Sequence, residues 1–310
     1  MSALEFRTLG RTGLSVSSLG YGGMELRGDG HIWGRAVDPT EADTLLNRVL
    51  DSGINFVDTS PDYGESEEAI GRGIGDRRDE FLLATKCGCP IDAAPDAPRP
   101  LVHDYSAEHM RMALDHSLRV LRTDHIDVLQ FHASPAMERL DADGAIEAMH
   151  RFRGEGKIRF IGMSGTMPNL REHIDAGAFD VFQIPYSAVE TDHESVIAEA
   201  ANQGAGIVVR GGVAQGHPDE TTGDRWRPPS SVPGWLLAEK ANLQELADGL
   251  TLTQFMLRLT LSNRAVASAI VATINPDHLD QNVAAASMGA LEPDVYAEAR
   301  RRLADAMADA

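Results

Sequence analysis

The sequence predicts an α/β fold: a (β/α)8 TIM barrel with an N-terminal β-hairpin and long loops after strands 3 and 7. Three observations lead there. Eight short apolar runs alternate with segments of helical periodicity. Most of the runs are near-continuous in aliphatic residues, as in parallel strands covered on both faces. The turn after the first run, "GYGGM", is not the G-x-G-x-x-G of a doubly wound sheet, which would usually also have fewer strands. With no low-complexity linker and no repeat beyond the βα unit, one domain over residues 1–310 is expected.

Each element has its own signature. The opening "FRTLGRTGLSVSSLG" alternates around a glycine-bearing turn and reads as the hairpin. The eight strands read "SLGYGG" (18–23), "INFVDT" (54–59), "FLLATK" (81–86), "IDVLQFH" (126–132), "IRFIGMS" (158–164), "VFQIP" (181–185), "GIVVR" (206–210) and "AIVAT" (269–273). Between the first two, Asp38 is set to cap a helix with Pro39 at its first position and Glu41 at its third. Leu45, Leu46, Val49 and Leu50 form its apolar face, and Gly53 ends it. Met110, Ala113, Leu114, Leu118 and Leu121 make a second such stripe between Ser106 and Arg122. The tail "YAEARRRLADAMADA" reads as a final helix. The connections "CGCPIDAAPDAPRPLVHDYS" and "GGVAQGHPDETTGDRWRPPSSVPG" leave the carboxyl ends of strands 3 and 7, where barrels build their sites, so both are expected to wall a pocket.

Composition narrows the function classes. With 28 basic against 47 acidic residues and a formal charge of −19, most of the surface repels nucleic acid and anionic membranes. No window approaches the ~18 consecutive apolar residues of a membrane span, and "MSALEFRTLG" lacks the charged start and apolar stretch of a signal peptide, so a cytoplasmic location is expected. The two cysteines, Cys87 and Cys89, are too few for a disulfide framework or a tetrahedral zinc site; the C-x-C admits a redox role but reads better as small strand-end residues. No H-x-H or clustered His/Asp pattern falls at the strand ends, so no metal is expected.

Four polar residues carry the chemistry. Asp58 ends the second strand, Tyr63 lies in the loop beyond it, Lys86 ends the third strand and His132 the fourth. Neighbouring strands bring them to one rim. Singly, each would pass for a solvated or core residue; together they suit carbonyl reduction, in which a hydride arriving at carbon leaves charge on oxygen that needs a proton. Tyr63 is placed to supply it, a nearby Lys86 ammonium would stabilise the phenolate, and Asp58 would hold Lys86 charged. His132 would donate a hydrogen bond to the substrate oxygen, a stabilisation of ~3 kcal/mol for a well-placed donor.

At these residues the sequence resembles the aldo-keto reductase superfamily across nearly its whole length. "NFVDTSPDYG", "LATK" and "DVLQFH" match that family's Asp, Tyr, Lys and His segments in order and spacing. The resemblance implies NADP(H) or NAD(H) as cofactor and a small carbonyl or alcohol substrate. It further implies Ser164 and Gln183 on the nicotinamide carboxamide, Tyr186 stacked on the ring, and Gly22, Gly23 and Met24 beside the cofactor. "RGGVAQG" would wrap the pyrophosphate with backbone from Gly211, Gly212, Val213, Ala214 and Gly216. Arg210 is open to two readings, a rim salt bridge or a contact to pyrophosphate or an anionic substrate. Thr273, Asn275, His278, Gln281 and Asn282 would meet the adenosine phosphate, with Ala272, Ile274 and His278 where many members carry Lys or Arg. Trp33 and Trp226, in the first and seventh loops, are candidates to stack on substrate. The same residues admit two other functions: a nicotinamide-binding sensor subunit without turnover, and a Schiff-base aldolase using Lys86 as nucleophile.

Overall fold

Strands too apolar to face water on either side find cover by closing on one another. In the computed structural model, which describes residues 3–29, 31, 34–91, 101–213 and 232–308, they form a closed, all-parallel barrel. The hairpin strands are β1 (Phe6–Thr8) and β2 (Ser15–Ser17), paired antiparallel. The staves follow as β3 (Leu19–Gly22), β4 (Phe56–Asp58), β5 (Leu82–Cys87), β6 (Ile126–Phe131), β7 (Ile158–Ser164), β8 (Val181–Pro185), β9 (Gly206–Arg210) and β10 (Ser268–Val271), with β10 closing the ring between β9 and β3. All eight predicted strands are present, several trimmed at an end. Among the described residues no helix is long and apolar enough to cross a membrane.

The period of two along each strand sorts the side chains into layers. Phe56, Ala84, Val128, Val181, Val208 and Ile270 form one interior layer, sealed by Leu9 and Val16 from the hairpin region. Two positions further along four of these strands come Asp58, Lys86, Gln130 and Gln183, which bond to one another and form a polar layer at the carboxyl ends. The intervening residues Val57, Leu83, Leu129, Phe182 and Val209 belong to the larger core that includes the helices. Each such side chain contributes roughly 1.5–3 kcal/mol when fully buried. A third cluster, including Trp235, Phe255, Met256 and Leu303, joins the C-terminal helices to one another.

The helices form as their sequences dictate. Asp38 caps Pro39–Asp51 by accepting from the backbone N–H groups of Thr40 (2.8 Å) and Glu41 (3.1 Å), and Leu45, Leu46, Val49 and Leu50 are its buried face. Ser106 caps Ala107–Val120 by accepting from His109 N–H. Each cap is worth about 1 kcal/mol. The final helix spans Pro293–Ala308.

Helix Ser66–Ile74 buries a carboxylate. Glu67 is 3% exposed and accepts from the Thr85 hydroxyl at 2.6 Å and the Ser117 hydroxyl at 3.0 Å. Burial outweighs these bonds and pushes its carboxyl up to about 7. The folded chain therefore holds a proton that the unfolded chain releases near pH 4.5, so this group's effect on stability worsens as pH rises from about 4.5 to 7. Glu67→Gln is expected to be near neutral at pH 5 and to stabilise by up to about 3 kcal/mol at pH 8. Urea denaturation at the two pH values checks this, and equal effects at both would contradict it.

Candidate active site

The polar layer is organised around one buried ion pair. Lys86 is 1% exposed, a position that on its own would strip the ammonium of its proton. Its Nζ donates to Asp58 Oδ2 at 2.8 Å and to the Thr59 carbonyl at 2.7 Å. Burial disfavours the charge, but the Asp58 carboxylate outweighs it, so the lysine is held above its ordinary range and stays an ammonium. Asp58 is fixed in turn: Oδ1 accepts from Gln130 Nε2 at 2.9 Å and Gln183 Nε2 at 2.8 Å. Three donors from three other strands thus hold one carboxylate.

Tyr63 sits in the turn "SPDYG", where its N–H reaches the Ser60 carbonyl and its own carbonyl accepts from Ser66 N–H as the next helix begins. Lys86 Nζ lies 4.8 Å from the ring centroid. The side chain is half-buried, and its hydroxyl makes no hydrogen bond among the described residues. Burial, aided by the Asp58 and Asp62 carboxylates, raises the phenol above its usual range, while the Lys86 and Arg210 cations pull it down. The lysine is placed as expected, but here it limits a rise rather than producing a net fall. Tyr63 is accordingly a protonated donor at neutral pH.

His132 follows β6 directly. Its N–H donates to the Cys87 carbonyl at 3.3 Å, and the Tyr105 hydroxyl donates to its carbonyl. Its ring stands edge-on to Tyr63, centroids 6.2 Å apart. Nδ1 lies 3.2 Å from Cys89 Sγ and 3.4 Å from Asp62 Oδ2, which leaves Nε2 as the nitrogen available to a substrate. Burial would raise the Asp62 carboxyl, but His132, the Ser60 hydroxyl at 2.5 Å and the Lys86 charge hold it well below the carboxylate range. All four residues of the expected tetrad therefore share one rim.

The other expected contacts divide into several groups. Ser164 and Gln183 are buried neighbours on β7 and β8, joined by a 3.1 Å hydrogen bond. With its amide also donating to Asp58, Gln183 retains one N–H and one acceptor lone pair for a ligand. Gly22 ends β3, Gly23 follows it, and Met24 beside them is exposed. A Cβ on Gly23 would lie 2.4 Å from Ser66 Oγ, so close packing alone accounts for that glycine. Tyr186 is 1% exposed with its hydroxyl on Glu194 at 3.3 Å, which leaves no ring face open for stacking.

Arg210, at the end of β9, keeps open surface deep in the mouth, where burial disfavours its charge. Among the described residues no carboxylate lies within ion-pair distance of it. Gly211 and Gly212 follow, Gly212 giving its carbonyl to Thr260 at 2.8 Å, and Val213 packs against the core. Beyond β10, Thr273 Oγ1 accepts from Asn275 N–H at 3.0 Å, and Asn275 caps helix Pro276–Ser287 through Asp277 N–H. His278 and Gln281 lie in its first turns, with Asn282 buried. Trp33, Ala214, Gly216 and Trp226 lie outside the described residues.

Sequence reasoning missed several residues of this rim. Gln130 was legible: it stands two positions before His132 on the same strand face. Asp62, Cys89 and His103 were not, because two separate connections, after β4 and after β5, bring them to His132 with no shared spacing.

A phenol, a charged lysine and an imidazole gather at the carboxyl rim of a (β/α)8 barrel, the face on which such barrels build their active sites. The sequence model of the Aldo/keto reductase family matches residues 18–303, and the chain belongs to that family. An L-galactose dehydrogenase from Arabidopsis thaliana is 29% identical over 299 residues, covering 92% of this chain and 89% of the plant protein. An uncharacterized oxidoreductase from Bacillus subtilis (strain 168) is 30% identical over 292 residues, covering 91% of this chain and 90% of its own. The holo form of an aldo-keto reductase from Bacillus halodurans superposes with a TM-score of 0.79 at 27% identity, covering 98% of this chain and 96% of that one.

Proposed function

We propose that the protein reduces an aldehyde or ketone to an alcohol, reversibly, with a nicotinamide dinucleotide as hydride donor and Tyr63 as proton donor. The observation that carries this reading is the buried, charged Lys86 held by Asp58 against the Tyr63 ring. The donor set suits such a cofactor: Ser164 and Gln183 keep hydrogen-bonding capacity for a carboxamide, and Arg210 is a cation without a carboxylate partner among the described residues, suited to a pyrophosphate. When bound, the cofactor supplies the hydride. Tyr63 gives its proton to the oxygen as charge develops there, Lys86 stabilises the phenolate left behind, and His132 Nε2 orients the carbonyl. Asp58 keeps Lys86 charged. A Schiff-base nucleophile needs the opposite, a lysine shifted toward its neutral form, so the same ion pair argues against an aldolase.

The test is consumption of reduced nicotinamide with a panel of simple aldehydes and ketones, alcohol being measured alongside. One alcohol per cofactor oxidised supports the reading, and tight cofactor binding with no carbonyl-dependent oxidation would favour a sensor instead.

The adenosine end favours NADH. Among the residues assigned to it no Lys or Arg is present, Asp277 places a carboxylate in the first turn of Pro276–Ser287, and Arg48 is held by Asp280. Like-charge repulsion from Asp277 opposes a 2′-phosphate there. Titration by quenching of Trp fluorescence is expected to show NADH binding at least as tightly as NADPH; NADPH binding about tenfold tighter, a difference of ~1.4 kcal/mol, would contradict it.

A further inference from the structure

We propose that Asp62, Cys89, His103 and His132 form a site for a tetrahedral transition-metal ion of the zinc type, seated beside the catalytic tyrosine. One ligand atom from each of the four lies within 4.8 Å of the others. The set, one thiolate, two imidazoles and one carboxylate, is of the kind Zn²⁺ takes. Bonds of about 2.0–2.3 Å place tetrahedral ligand atoms roughly 3.3–3.8 Å apart. Cys89 Sγ at 3.2 Å and Asp62 Oδ2 at 3.4 Å from His132 Nδ1 are already close to that spacing.

His103 supplies an independent observation. It is 9% exposed, its Nδ1 donates to the Leu101 carbonyl at 3.0 Å, and its Nε2 is buried with no hydrogen-bond partner. A carbonyl on one ring nitrogen fixes the tautomer and leaves the other nitrogen's lone pair for a metal, the arrangement usual around ligating histidines. An unsatisfied buried ring nitrogen is otherwise a destabilising feature. The remaining ligands are braced in the same manner. Ser60 occupies Asp62 Oδ1 and leaves Oδ2 toward the site. His109 Nε2 lies 2.9 Å from the Cys89 carbonyl. Gly88, at a φ of 82° and with the Tyr105 ring where a Cβ would stand, turns the chain so that Cys89 reaches the rim.

Loading exchanges the Cys89 proton for the ion: the S–H bond breaks, a sulfur–metal bond forms and the proton leaves to solvent. The carboxylate and thiolate then balance the dication. Because His132 is shared, an ion on its Nδ1 pins the imidazole and costs Nε2 the freedom to settle on the substrate oxygen. A loaded chain therefore turns over slowly, a consequence that rests on the proposed reductase activity, whereas the site itself does not.

The probe is Co²⁺ added to the full chain, followed by absorption spectroscopy. One ion per chain is expected, with tetrahedral d–d bands and a thiolate-to-cobalt charge-transfer band. His103→Gln, checked for folding by circular dichroism, should weaken binding by at least about 10- to 100-fold, since even partners outside the ligand shell are worth that much. Cys89→Ser should remove the charge-transfer band. Zn²⁺ should slow carbonyl reduction by the parent chain and leave His103→Gln at its own metal-free rate. Absence of the thiolate band, or equal cobalt affinity in parent and His103→Gln, overturns the site. Loading without any change in turnover removes His132 from the ligand set. Cobalt binding as described in a chain with no reductase activity would fault the reductase reading and leave the site standing.

Discussion

Lys86→Met lowers stability by about 3–5 kcal/mol, the effect of leaving one member of a buried ion pair without its partner. Asp58 would keep its two amide donors, Gln130 and Gln183, but lose the cation at 2.8 Å that balances its charge. Adding Asp58→Asn removes the stranded charge while keeping an oxygen for those amides. The double variant is therefore expected to be more stable than Lys86→Met alone. Chemical denaturation of the two single variants and the double variant measures the coupling. Additive losses in the double variant would mean that the two side chains do not act as a pair. Turnover falls in all three, because the phenolate loses the stabilising charge in each.

The second large effect is on rate. Tyr63→Phe is expected to lower kcat for carbonyl reduction by about 10²–10⁴-fold, the usual contribution of a positioned proton donor. Cofactor affinity should change little, since the hydroxyl makes no hydrogen bond among the described residues and the ring still rests against Lys86. Stopped-flow and steady-state rates with the same aldehyde, alongside a cofactor titration, separate the two quantities. Unaltered turnover would take Tyr63 out of the role.

Most of the barrel was legible in the sequence because its determinants are local. Continuous apolar runs such as "GIVVR", the Asp38 cap and the stripe from Met110 to Leu121 each follow from spacing within a few residues. The tetrad was legible for a related reason: a strand end fixes where a side chain goes, and Asp58, Lys86 and His132 all lie at strand ends. What escaped depends on loops. His103 arrives from the connection after β5, and its meeting with His132, ring centroids 5.3 Å apart, is set by tertiary packing and has no periodic signature. Tyr186 shows the converse. Its segment resembles a cofactor contact, but it follows the outward-facing Ile184 at a spacing of two and is buried with the core between strands and helices.

In the proposed reaction one phenol, raised by burial and restrained by Lys86, passes the proton in both directions. The pH dependence of kcat/KM, followed for aldehyde reduction and for oxidation of the matching alcohol, tests it most directly. Reduction needs the phenol and oxidation the phenolate. Reduction should therefore hold level through neutral pH and fall only above the ordinary phenol range near 10, while oxidation climbs toward the same limb. Profiles that move together in both directions, or that persist unchanged in Tyr63→Phe, would contradict it.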